Sequence, residues 1–366
     1  MFVVLARVCL PRTKKKSSLS RICRQAERPK ATLCHLSASI RPADLEGDYM
    51  DYDVFNGDAD GICALIQLRL VEPRPDATLV TGVKRDIQLL GRIPGEGVDR
   101  VTVLDISFDK NRDDVDRLLA AGADLFFCDH HFSGDIPEAE TLDALISPAP
   151  EVCTSALVNG RLRSAFTEWA VVGCFGDNLD TTADTLIDNL SSSVDRDAIK
   201  QLGICVNYNA YGSQPADLHF HPADLYRRMQ CHTSPTALLQ DDRDLFETLV
   251  AAYETDMSAA RSAPRAVDDD DIAVVSLPDE AWARRVSGVY GNDLANQSPD
   301  KAHAVLTDIE GGYLVSVRAP LNNRTGADAV CRQFETGGGR AAAAGINQLP
   351  RDQLGRFIDA LRAQYA

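Results

Sequence analysis

Asp129, His130 and His131 follow directly on the apolar run Ala123-Asp124-Leu125-Phe126-Phe127-Cys128, so a carboxylate and two imidazoles stand at the end of a strand-like segment. Open α/β sheets gather their ligands in the crevice beyond the carboxyl ends of such strands. Taken alone, the two histidines read equally well as surface-loop residues. Two further segments break in the same way. Tyr52-Asp53-Val54-Phe55 runs into Asn56-Gly57-Asp58-Ala59-Asp60-Gly61 and then a helical stretch from Ile62 to Leu70, and Val101-Thr102-Val103-Leu104 ends at Asp105. One Asp at a strand end is more often a cap or turn residue, but repetition at three strand ends points to a shared crevice. Asp58, Asp60, Asp105, Asp129 and two histidines gathered there would repel one another without cations. Oxygen and imidazole donors suit Mn, Fe, Zn or Mg, and the absence of a thiolate cluster argues against structural zinc. Two ions bridged by one carboxylate would activate water and clamp a phosphoryl oxygen.

Taken in order, Gly57-Asp58-Ala59-Asp60-Gly61, Asp105, Asp129-His130-His131 and Gly176-Asp177-Asn178 resemble the motifs of the DHH phosphoesterases. Gly337-Gly338-Gly339-Arg340-Ala341-Ala342-Ala343-Ala344-Gly345 resembles the glycine-rich stretch of the associated DHHA1 substrate domain, so the resemblance covers residues 51 to 350. It is nearest to the nanoRNase and pAp-phosphatase-like branch of the RecJ-related superfamily. The resemblance implies one divalent ion, Mn2+ before Mg2+, on Asp58 and Asp105, and a second on Asp60, Asp105, His130 and Asp177. It further implies that His131 faces the phosphate and that Arg318, Gly337, Gly338, Gly339 and Arg340 hold the substrate, with Asp105, His131 and Arg318 carrying catalysis. Two positions depart from the pattern. Many members place an extra ligand four or two residues ahead of the Asp-x-Asp pair, where this chain has Val54 and Asn56. Arg340 stands where the family usually has His, and its permanent charged fork bears on substrate preference.

The activity implied is hydrolysis of phosphodiester or phosphomonoester bonds in short oligonucleotides or small nucleotides. Cyclic-dinucleotide hydrolysis is the rival enzymatic reading, and a catalytically weakened nucleotide-binding regulator, motivated by Val54, Asn56 and Arg340, is the non-enzymatic one. Charge supports a small substrate. Residues 1–49 hold ten Lys and Arg against four Asp and Glu, which leaves 28 against 50, a net of −22, in the remainder. Such a body repels long duplex nucleic acid, whose affinity rests on Lys and Arg contacts to phosphate. No apolar run reaches membrane-spanning length, so no membrane partner is expected. Seven of the ten cysteines lie scattered after residue 49 without Cys-x-x-Cys spacing, as expected of free thiols in the reducing cytoplasm. A homodimer is compatible with this reading.

Strand and helix patterns alternate as in an α/β protein: a parallel, doubly wound DHH catalytic domain over 51–182, a helical connector over 183–267, and a smaller α/β DHHA1-like domain over 268–366. Residues 1–49 read as an unstructured extension or a misassigned start ahead of Met50, although their basic, acid-poor bias also fits a targeting segment. Thr154 and Ser155 read first as helix caps, Asp177 as either ligand or cap, and His219 and His221 as loop residues. The run Asp268-Asp269-Asp270-Asp271 marks the start of the second domain, and Gly337-Gly338-Gly339 reads as a turn that brings backbone N–H groups close to an anion.

Overall fold

The computed structural model describes residues 50–366, so the reading of residues 1–49 lies outside the described chain. Strand β1 (Asp51–Asn56) leads through helix α1 (Ala59–Val71) to β2 (Thr78–Gly82), and β3 (Arg100–Leu104) leads through α2 (Arg112–Ala120) to β4 (Asp124–Asp129) and β5 (Leu142–Ile146). All pairings in this sheet are parallel, in the order β2-β1-β3-β4-β5. Chain direction across the sheet reverses between β1 and β3, the topological switch point at which open α/β sheets bind ligands.

Successive residues of a strand face opposite sides, and both sides are buried here. Phe55, Leu104 and Cys128 belong to one core with Ile62, Leu65 and Ile66 of α1. Their neighbours Val54, Val103 and Phe127 belong to another with Val115 and Leu118 of α2. The sheet is therefore doubly wound.

Helices α3 (Thr154–Arg161), α4 (Thr167–Gly176), α5 (Asp180–Asp188), α6 (Arg196–Asn209), α7 (Pro222–Met229), α8 (Pro235–Asp241) and α9 (Arg243–Arg261) follow. Every residue of α4 except Glu168 is buried, which is why its sequence is apolar on all faces rather than on one stripe.

The second sheet contains β6 (Arg265–Asp268), β7 (Ile272–Leu277), β8 (Ala302–Ile309), β9 (Gly312–Arg318), β10 (Gly337–Gly339) and β11 (Ala343–Pro350), with α10 (Ala281–Gln297), α11 (Ala327–Cys331) and α12 (Leu354–Tyr365). Its order is β10-β11-β9-β8-β7-β6, with β7 and β8 parallel and the other pairs antiparallel. The lobe is shorter in sequence than the first yet has one strand more. Its sheet begins at Arg265, ahead of the acidic run, and Gly337–Gly339 is a paired edge strand rather than a turn. Gly339, at φ 133°, adopts a backbone conformation open to glycine.

Tyr208, Tyr211, Met257 and Ala260, from α6, the residues after it and α9, share a core with Val286, Val289 and Tyr290 of α10. Around this seam Arg285 pairs with Asp256, and Arg284 with Asp217. A Cβ on Gly288 would sit 1.9 Å from the Tyr211 ring, so only glycine admits that ring against α10.

Candidate active site

At the C-terminal ends of β1, β3 and β4, Asp58, Asp60, Asp105, Asp129 and His130 are each at most 3 % exposed. Asp177, the residue after α4, joins them with a side chain 4 % exposed. Asp105 has φ 58°, an uncommon left-handed conformation for a non-glycine residue of the kind that clusters at functional sites. Its N–H donates to the Cys128 carbonyl, so the strained turn is tied to the neighbouring strand.

His130 joins the carboxylates. Its Nδ1 lies 2.8 Å from the Val152 carbonyl oxygen, an acceptor only, so Nδ1 carries the proton and Nε2 the lone pair. That Nε2 is 3.3 Å from Asp105 Oδ1, 3.5 Å from Asp177 Oδ2 and 3.9 Å from Asp60 Oδ2. Burial, and after it the Arg340 charge, hold the imidazole below its usual range and hence neutral at pH 7. Ligand atoms of Asp60, His130 and Asp177 lie within 4.8 Å of one another, as do those of Asp105, His130 and His131. Such sets of oxygen and imidazole donors fit a divalent ion.

Asp60 is anchored from behind. The N–H groups of Thr154 and Ser155, at the start of α3, each donate to one of its oxygens at 2.7 Å, while Thr154 Oγ1 donates to Asp105 Oδ1 at 3.2 Å. The capping expectation for Thr154 and Ser155 is corrected here: Cys153 is the N-cap, and it is backbone amides that meet the carboxylate. Asp177 terminates α4 and does not start the next helix, whose N-cap is Leu179.

Asp58 is engaged differently. Its Oδ1 accepts from the N–H groups of Asp60 and Gly61 at 3.0 Å, and its Oδ2 accepts from Lys84 Nζ. Among the described residues it belongs to neither candidate metal group. Burial raises the Asp105 carboxyl well above its ordinary value, and Asp58, Asp60 and Asp177 add to the rise. Burial acts in the same sense on Asp177, but Lys84, Arg340 and His130 outweigh it and hold that carboxyl far below the usual range.

A cavity of about 210 Å³ opens beside these groups, lined by His131, Tyr211, Arg318, Arg340 and Gly339, and by Lys84 and Arg85, which carry no signal in the sequence. His131 commits Nδ1 to Asp129 Oδ1 at 2.6 Å. Arg340 reaches from the second lobe, with Nη2 3.6 Å from Asp177 Oδ2 and the guanidinium lying against the His130 ring without a hydrogen bond to its protonated Nδ1. Arg318, the last residue of β9, is aimed by Ser316 Oγ at 3.1 Å and the Gly288 carbonyl at 3.0 Å. Arg85 donates to Asn347 Oδ1 at 3.1 Å, its buried Nε has no partner among the described residues, and burial lowers its guanidinium to about 10. His219 and His221 lie apart from the site: His219 meets the Tyr208 hydroxyl and His221 caps α7.

No protein-family model and no curated protein matches this sequence. Solved structures do. A DHH-domain protein described as a member of a family of ribosomal proteins aligns at 14% identity and TM-score 0.61, covering 86% of each chain. An exonuclease RecJ bound to manganese aligns at 16% identity and TM-score 0.55, covering 86% of this chain and 89% of its own. A pGpG-specific phosphodiesterase from Vibrio cholerae aligns at 15% identity and TM-score 0.51, covering 86% and 98%.

Proposed function

Since the chain has the fold of the DHH-domain proteins, we propose that it is a divalent-metal-dependent phosphoesterase acting on short oligonucleotides or small nucleotides. The observation that carries this reading is the meeting of two opposite sets of groups: a cluster of buried carboxylates with His130, which reaches the cavity wall through Asp177, and Arg85, Arg318 and Arg340, which line the same cavity. The first set would hold a cation, and the second a phosphate.

The ion's donors are Asp60, Asp105, His130 and Asp177, and Mn2+ is the proposed metal because oxygen and imidazole suit it and the RecJ neighbour is described as bound to manganese. A divalent ion there supplies Lewis acidity toward a phosphoryl oxygen and acidification of a water. The protein's part is placement. Arg318 and Arg340 offer planar forks that match phosphate oxygens, and Gly338 and Gly339 let an anion approach the backbone. His131 lines the cavity with its orientation fixed by Asp129. A cavity of about 210 Å³ is small for a ligand pocket and suits a mononucleotide-sized part of the substrate, and one neighbour is described as specific for pGpG. Among the described residues no helix is long and apolar enough to cross a membrane, and seven free cysteines, six of them buried, fit a reducing compartment, for which we propose the cytoplasm.

The test is release of AMP from 5′-phosphorylated diadenylate by the full chain with Mn2+, beside an Asp105→Ala variant. Metal-dependent release abolished in the variant supports the proposal. Equal release by both proteins would remove Asp105 from the chemistry and with it this reading of the site.

A further inference from the structure

We propose that the Lys84 ammonium permanently occupies the place of one of the two cations expected at this site, so that the protein binds a single divalent ion per chain. The inference rests on the metal-dependent reading above and fixes its stoichiometry.

The backbone sets the lysine there. Strands β1 and β2 run parallel with Asn56 opposite Gly82, so two residues on, Lys84 lies level with Asp58. Its N–H donates to the Ala210 carbonyl at 2.8 Å, and its own carbonyl accepts from Asn56 Nδ2 at 3.1 Å. Asn56 thus clamps the lysine backbone instead of offering a carboxylate to a metal.

An ammonium has three donors and no acceptor, and Lys84 Nζ has three oxygen partners: Asp58 Oδ2, Asp177 Oδ1 at 3.2 Å and Asn207 Oδ1 at 3.1 Å. It also lies 5.6 Å from the centroid of the Tyr211 ring, within cation–π range. A fully partnered ammonium among these groups occupies a cation site. Asp58 is the more heavily committed carboxylate, because Oδ1 accepts two N–H bonds of α1 and Oδ2 holds the lysine, whereas each Asp60 oxygen accepts a single N–H. Val54, four residues ahead of Asp58, is a fully buried core residue and offers no ligand.

Charge points the same way: Lys84, paired with Asp58 and Asp177, supplies positive charge at the place where a first metal would supply it, and one divalent ion remains to be held by the other carboxylates. The second set, Asp60, His130 and Asp177 with Asp105 beside them, stays available for that ion.

The experiment is to saturate the full chain with Mn2+, remove unbound ion, count manganese per chain by elemental analysis and record the electron paramagnetic resonance spectrum. One Mn2+ per chain with the hyperfine pattern of an isolated ion is expected. In Lys84→Met, which keeps the aliphatic stem, a second Mn2+ enters and the spectrum becomes that of an exchange-coupled pair. Two ions in the unaltered protein overturn the proposal, and so does a single ion in folded Lys84→Met. Should Lys84→Met not fold, Asp58→Asn serves: it retains the one ion and its isolated signal, and loss of that ion would make Asp58 a ligand and overturn the assignment. No ion in the unaltered protein would instead defeat the metal-dependent function itself.

Discussion

Replacing Arg69 by Met should destabilise the first lobe by about 3–5 kcal/mol, the usual cost of removing one partner of a buried ion pair. Arg69 lies on α1 and Asp53 on β1, with side chains 5 % and 1 % exposed. Arg69 Nε donates to Asp53 Oδ2 at 2.8 Å and Nη2 to Asp53 Oδ1 and Thr102 Oγ1. Two charge-assisted bonds at about 1.5–3 kcal/mol each give a range of about 3–6 kcal/mol, consistent with the first figure. The loss arises mainly from stranding the Asp53 carboxylate, so Asp53→Leu combined with Arg69→Met should recover most of it. The measurement is urea unfolding at pH 7, followed by the fluorescence of Trp169, which is fully buried in the first lobe's core. The expected result is a large fall in midpoint for the single variant, a much smaller one for the double, and little change in slope. A single-variant loss below about 1 kcal/mol, or a double variant as unstable as the single, would refute the argument that a desolvated carboxylate is at stake.

Arg340→Ala should lower kcat/KM by about 10–100-fold through lost charge-assisted bonds to phosphate, without weakening Mn2+ binding, since it removes a positive neighbour of Asp177 and His130; unchanged kinetics on the diadenylate would contradict its assignment. Gly173→Ala would bring a Cβ to 2.1 Å from Ser155 Oγ and 3.2 Å from Asp60 Oδ1, and titration calorimetry should show Mn2+ affinity reduced by about 10–100-fold, the range for disturbed support of a ligand. Burial holds the His303 imidazole below its ordinary value of 6.5, so the unfolded chain takes up the proton first. Stability from this group is present above pH 6.5 and lost as pH falls from there through the lower folded value. The urea midpoint should therefore fall between pH 7.5 and 5.5 less steeply in His303→Gln, and identical slopes in the two proteins would rule out this contribution.

The strand ends are legible because two patterns coincide in sequence: a short buried apolar run and an abrupt change to ligand-type residues, as at Leu104-Asp105 and Cys128-Asp129. Nothing comparable marks Lys84 and Arg85. A Lys-Arg pair after a strand reads as surface, and only the pairing of β2 beside β1 carries Lys84 to Asp58. Thr154 and Ser155 mislead because their side-chain types suggest capping, whereas Asp60 is held by their amides, which every residue but proline possesses. The triple glycine misleads for a related reason: glycine is depleted in strands, and the partner that makes β10 a strand, β11, is recognised only through tertiary pairing. His219 and His221, with no carboxylates at ligand spacing, read as loop residues, and both are held by local contacts outside the site.

The seam in which Tyr211 rests on Gly288 bears on how such a protein can be rebuilt. Tyr208, Tyr211 and Met257 share their core with α10 of the second lobe, so the first lobe made alone would uncover apolar surface of the kind that drives aggregation. The second lobe, severed, would leave Arg284 and Arg285 without Asp217 and Asp256. Grafting a different second lobe onto this first lobe therefore demands matched changes on both sides of the seam. Chimeras joined at the connector without those changes should be recovered as insoluble protein.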